Sequence, residues 1–171
     1  MNTQYLTVSA GTLAYDDQGT GPLVLCVPGM GDLRQEYRFL APRLVEAGYR
    51  VVTMDVRGHG ETSINWPDYT VAAFGSDMLA LIKHLNAGPA LIIGTSMAAG
   101  GAVWAAAENP ELVAGIALIG PVVRVMAPAW QSRLLGIVYN ILLAPWWGVA
   151  FWGKYYTCLL YTSDAADDLT R

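Results

Sequence analysis

Apolar residues in this chain come in short dense runs, set apart by polar turns, and the spacing of the runs changes from strand-like to helix-like and back. Gln4–Ser9 alternates weakly, Thr12–Asp16 follows a glycine, and "GTG" at 19–21 reads as a turn. Leu23–Val27 is apolar throughout and is ended by Pro28-Gly29, the pattern of a strand buried on both faces. Asp32 with Gln35 three residues on predicts a capped helix start, with Leu33, Tyr37, Leu40 and Leu44 on one face. Pro42 predicts a break or restart in that helix. Gly48 closes it, and Arg50–Val56 predicts the next strand. A helix over Val71–Leu85 follows, with Phe74, Met78, Leu81, Ile82 and Leu85 inward and "NAGP" at its end. Ala90–Ile93 then predicts a strand, Met97–Glu108 a helix and Val113–Ile119 a strand. Strands alternating with helices predict an α/β class: a largely parallel sheet with helices on both faces.

From Val123 onward the character changes. Residues 123–157 carry four of the six Trp, and 134–152 hold a single polar side chain, Asn140. That length of apolar sequence raises a membrane-spanning reading. Pro145 and two glycines interrupt it, so two short apolar helices are the favoured expectation and membrane association the lesser one. The tail, 158–171, continues no periodicity. Residues 158–168, "CLLYTSDAADD", resemble the in-frame translation of a transposase adapter used in DNA library preparation. The expectation is therefore three segments: 1–122, 123–157, and a non-native 158–171 to be left out of fold and site reasoning. Sequencing the source locus past codon 157 tests this.

Composition narrows the class. Over 171 residues, 54% are hydrophobic and 14% charged, which excludes a disordered chain. The net charge is −4 without a Lys/Arg cluster, which argues against a nucleic-acid partner. The N-terminus has neither a basic start nor an apolar stretch, unlike a signal peptide. Cys26 and Cys158 form no metal-spaced or CxxC pair, and Cys26 reads as a small core residue. A cytoplasmic setting is expected, with no metal and no cofactor.

Three segments carry candidate chemistry. "GTSMAAGG" sets Ser96 between a strand and a helix. Gly94 and Ala98 flank it at the positions where a tight, strained turn needs small residues. The helix start behind it directs backbone N–H groups toward an anion. A plain helix N-cap is the competing reading of Ser96. "VPGMGD", 27–32, is a glycine-rich turn after a buried strand. It is suited either to tight reversal or to presenting N–H donors where charge develops. "DVRGHGETS", 55–63, places His59 between two glycines. His84 lies near a helix C-terminus, where a solvated, dipole-favoured imidazole is the ordinary reading.

Together, in this order on strand–turn–helix units, these segments resemble the α/β-hydrolase family over residues 1 to about 157. The resemblance implies that Ser96 is the nucleophile and that the backbone N–H groups of Met30 and Met97 form the oxyanion hole. It also implies that His59 is structural and that the segment after Ile119 begins an apolar helical cap. Pro28 departs from the family's frequent His, and Ala98 from its usual Gly. The implied activity is hydrolysis of esters or related acyl compounds through an acyl-serine intermediate, on a small apolar acyl substrate. A Ser nucleophile argues against the family's dehalogenases and epoxide hydrolases, which use Asp. The family's order is nucleophile, acid, histidine. No His follows Ser96, and no Asp or Glu lies between Glu111 and the tail. The triad acid and His are thus absent from this chain, which is expected to be a truncated and inactive fragment. A cofactor-free perhydrolase or carbon–carbon hydrolase, or a non-catalytic binding protein on the same fold, stay open as alternatives.

Overall fold

A computed structural model describes residues 3–122 and 129–142. The chain divides into two units, Met1–Arg124 and Val125–Arg171.

The first unit is built on one six-stranded sheet. Its strands are β1 (Gln4–Val8), β2 (Gly11–Gln18), β3 (Leu23–Val27), β4 (Arg50–Met54), β5 (Ala90–Thr95) and β6 (Val113–Ile119), in the order β1-β2-β4-β3-β5-β6. β1, β2 and β4 pair antiparallel, whereas β4, β3, β5 and β6 are parallel. The helices are α1 (Leu40–Glu46), α2 (Val71–Leu85) and α3 (Met97–Glu108).

The continuous apolar run of β3 follows from this arrangement. Alternate residues point to opposite faces of a strand. Leu23, Leu25 and Val27 enter one core with Phe74, Met78, Leu81 and Ile82 of α2 and Ala98, Ala102 and Ala105 of α3. Val24 and Cys26 enter the other, with Tyr37, Ala41, Val51 and Ile93. Both faces of β3 are therefore dry, and every residue in it is buried. Burial pushes the Cys26 thiol up to about 12, so it sits in the core as a neutral, unreactive side chain.

The boundaries of α2, α3, β3 and β6 match the sequence expectations, and β5 runs two residues further, to Thr95. Two expectations are corrected. The helix foreseen from Leu33 to Leu44 is two pieces, a 3₁₀ turn over Arg34–Tyr37 and then α1. Asp32 forms no capping box; among the described residues its carboxylate accepts the Leu33 N–H, at 3.0 Å. The physical reason is Arg34, whose N–H donates to the buried Asp55 carboxylate at 2.8 Å and whose guanidinium pairs with Asp55 as well. That anchor turns Leu33 and Leu40 outward and buries Arg34, Tyr37 and Ala41 instead. Pro42 falls in the first turn of α1, where its missing N–H costs nothing. The second correction is β4, which ends at Met54 rather than Val56. Beyond it the Asp55 N–H donates to Ala14 of β2 and its carboxylate serves Arg34.

In the second unit, α4 (Ala129–Leu142) is a single helix exposing Trp130, Leu134, Ile137, Val138 and Ile141. Among the described residues no helix is long and apolar enough to cross a membrane. The remainder of 123–157, and the tail 158–171, lie outside the described residues.

Candidate active site

The strand order reverses at β3. The chain passes from β3 to β4 on one side, then returns to place β5 on the other. In an open parallel sheet, loops part at such a point and leave a crevice at the carboxyl ends of the strands. The register sets Val27 beside Gly94. The turn after β3 and the turn after β5 must therefore leave the sheet side by side, and these are the turns of Met30 and Ser96.

Ser96 has φ 54° and ψ −115°, a conformation that side chains rarely adopt. Such a residue costs on the order of 1–3 kcal/mol and persists only where its surroundings hold it. Its N–H donates to the Ile119 carbonyl at 2.9 Å, and its own carbonyl accepts the Val122 N–H at 3.1 Å. Small neighbours make the turn possible. A Cβ on Gly94 would meet the Ala98 carbonyl oxygen at 2.8 Å, and one on Gly100 the Val122 carbonyl oxygen at 2.6 Å. Ala98, the departure from glycine, is buried without disturbing the turn. The N-cap reading does not hold, because the Ser96 side chain makes no capping hydrogen bond. Its backbone is also far from the extended conformation that a cap requires.

The Met30 turn lies against it. A Cβ on Gly29 would approach the Ser96 Cβ to 3.1 Å. Asp32 N–H donates to the Gly29 carbonyl at 3.2 Å, and Gly31 has φ 87°. This is the geometry of a type II turn with glycine at its third position. The closing bond uses neither the Met30 nor the Gly31 N–H. Met97 is the first residue of α3, so its N–H has no acceptor within the helix.

The 55–63 loop supports the Met30 turn. It is stitched to β2 by Ser63 N–H to the Thr12 carbonyl (2.9 Å), Thr12 N–H to Ser63 Oγ (3.0 Å) and Ala14 N–H to Thr62 Oγ1 (2.9 Å). Gly60 is required, since a Cβ there would fall 2.2 Å from Asp55 Oδ2. Arg57 turns inward to Asp77 of α2, with two bonds of 2.8 Å, and its guanidinium stacks 4.5 Å from the Trp66 ring centre. His59 accepts the Gly31 N–H on Nε2 at 2.8 Å, and its Nδ1 faces the Arg57 carbonyl at 3.2 Å. His84 is exposed on α2, its ring edge toward Tyr15. Among the described residues, no imidazole or carboxylate hydrogen-bonds to the Ser96 hydroxyl.

One group at the site was not singled out by sequence. Glu36 accepts the Thr95 hydroxyl at 2.8 Å, directly before Ser96, and Tyr37 Oη lies 3.0 Å from the same hydroxyl. Tyr37 also donates to the Val27 carbonyl at 2.9 Å. The second Glu36 carboxylate oxygen is buried without a partner among the described residues. Burial raises the Glu36 carboxyl above the ordinary range, and Asp32 adds to the effect. The Thr95 hydroxyl and the Gly29 backbone pull the other way. No local pattern marks these residues, because their meeting depends on how the turn after β3 folds back onto β5.

A strained serine at the carboxyl end of a central parallel strand, faced by a glycine turn, defines a class of α/β proteins built around an elbow. The comparisons narrow that class. Residues 22–169 match the model of the alpha/beta hydrolase fold family, and the chain belongs to that family. It is 39% identical over 108 residues to a Mycobacterium tuberculosis protein named "Putative non-heme bromoperoxidase BpoC", covering 63% of this chain and 41% of that protein. Among solved structures, an esterase from Thermogutta terrifontis superposes with a TM-score of 0.71 at 26% identity, over 82% of this chain and 53% of its own. An epoxide hydrolase from an endophytic Streptomyces gives 0.63 at 28%, over 68% and 36%. The chain thus spans about two fifths of the length of the curated relatives it matches.

Proposed function

We propose that the whole protein is a serine hydrolase acting on esters or related acyl compounds, with Ser96 as its nucleophile. The observation that carries this reading is the strained, uncapped Ser96 set against Gly29. The strain lifts the hydroxyl out of the helix start, where a capping serine would spend its oxygen on a backbone N–H. In the reaction, Ser96 Oγ attacks the acyl carbon and its proton passes to a base. The carbonyl oxygen becomes an oxyanion, for which the Met30 and Met97 N–H groups are the candidate donors. Collapse releases the alcohol and leaves acyl-Ser96, which water then hydrolyses.

Neither imidazole here fits the base. Both nitrogens of His59 are engaged by Gly31 and Arg57, and His84 belongs to the solvated end of α2. The base and its acid are therefore assigned to residues this chain does not carry, and the chain by itself is expected to turn over no ester. Identity to the bromoperoxidase-named relative supports a second reading of the same site, cofactor-free perhydrolysis, in which hydrogen peroxide replaces water against acyl-Ser96.

The test is reaction of the complete gene product with a fluorophosphonate probe. Labelling should map to Ser96, and Ser96→Ala should abolish it and lower ester turnover by at least about 10³-fold. Labelling elsewhere, or turnover retained in Ser96→Ala, overturns the proposal. The 171-residue chain should label slowly or not at all.

A further inference from the structure

His59 was expected only to shape its loop, yet it makes a specific contact across to another one. Its Nε2 receives the Gly31 N–H at 2.8 Å. A backbone amide can only donate, so that nitrogen carries no proton. The proton is then on Nδ1, which donates to the Arg57 carbonyl at 3.2 Å. Turning the ring over would put carbon atoms against both partners and lose both bonds. The contacts therefore fix one ring orientation and one neutral tautomer.

What the bond holds is the central peptide of the Gly29–Asp32 turn. Types I and II of a four-residue turn share the same closing bond and differ by rotation of the peptide between the two middle residues. That peptide is Met30–Gly31. Type II needs a positive φ at the third residue, and type I needs a negative one. Glycine accepts both, so the turn by itself can adopt either form. Gly31 is found at φ 87°, with its N–H directed to His59. The imidazole thus selects one of two forms of the turn, fixing where the Met30 carbonyl and the Gly31 N–H point; the Met30 N–H lies in the preceding Gly29–Met30 peptide of the same turn.

We propose that His59, as its Nδ1–H tautomer, is the positioning residue of the oxyanion turn: by accepting the Gly31 N–H it pins the Met30–Gly31 peptide in one orientation. This rests on the reading of Met30 and Ser96 above. His59 touches no substrate in this role and acts only through Gly31. The glycines on either side serve it, since Gly58 (φ 81°) and Gly60 (φ 53°) let the loop carry the ring to the turn.

Two variants separate pinning from packing. In His59→Gln the side-chain oxygen stands two bonds beyond Cγ, as Nε2 does, and can accept the Gly31 N–H. In His59→Asn the polar atoms reach only the Nδ1 position. Hydrogen–deuterium exchange of the 171-residue chain, read by mass spectrometry at Gly31, should quicken about tenfold or more in His59→Asn and return toward wild type in His59→Gln. In the complete gene product, fluorophosphonate labelling of Ser96 should slow about tenfold in His59→Asn and recover in His59→Gln. Unchanged exchange in His59→Asn, or equal losses in both variants, overturns the proposal. A wild-type protein whose Ser96 never labels would overturn the nucleophile reading and the catalytic half of this one, while the exchange result still decides whether the turn is pinned.

Discussion

At the scale of single residues, the site depends on groups held in states they would not adopt alone. Ser96 is held at φ 54° by bonds to Ile119 and Val122. Glu36 is half-buried, with one carboxylate oxygen buried and without a hydrogen-bond partner among the described residues, and burial favours its neutral form. A carboxyl raised in the fold binds its proton more tightly there than in the unfolded chain. The stability it contributes is present at low pH and lost as pH rises from the ordinary carboxyl range through the folded value, after which it levels off. Asp77 is shifted in the same direction by burial, but that shift is common to wild type and variant and cancels in a difference. Glu36→Gln should therefore gain on wild type as pH rises from the ordinary carboxyl range, about 4, toward neutrality. Urea unfolding across that range checks it, and a pH-independent difference would contradict the assignment. The position was invisible in the sequence, where Glu36 reads as one more polar residue of a helix start.

At the scale of elements, the sequence patterns located α2, α3, β3 and β6 because each is bounded by local signals. Thr70 caps α2 by accepting the Ala73 N–H, and Asn86 ends it in the left-handed conformation. The 33–44 stretch misled because its pattern was overridden from a distance, by Asp55 drawing Arg34 down. The 55–63 loop is tied to α2 through Arg57 and Asp77, both almost fully buried. Removing one partner of such a pair strands the other's charge. Asp77→Ala should cost about 3–5 kcal/mol in urea unfolding, and a joint Arg57→Met/Asp77→Leu replacement much less. A loss below about 1 kcal/mol for the single variant would show that the loop is not anchored this way.

At the scale of the molecule, the six-stranded sheet has two edge strands among the described residues, β1, which pairs only with β2, and β6, which pairs only with β5. Ile116, Leu118 and Ile119 of β6 are exposed, and so is Val122 beyond it. An unpaired edge with apolar side chains is a template for association. The chain as it stands should self-associate as its concentration rises. Ile116→Lys, on that strand, should shift it toward monomer with its secondary structure unchanged. Light scattering against concentration, with circular dichroism alongside, checks both; a monodisperse wild type would remove the premise.

What the sequence determined by itself was whatever short-range chemistry controls. Apolar runs against turns set the α/β class, and the run of small residues placed Ser96 between a strand and a helix. The three glycine-bearing segments marked the loops that would meet. Which form the Met30 turn takes, which nitrogen of His59 holds its proton, and why Glu36 bonds Thr95 next to Ser96 were decided only in the tertiary structure. Each depends on residues 28 to 59 positions apart, brought into contact by the order of strands in the sheet, and no local pattern records a contact of that range.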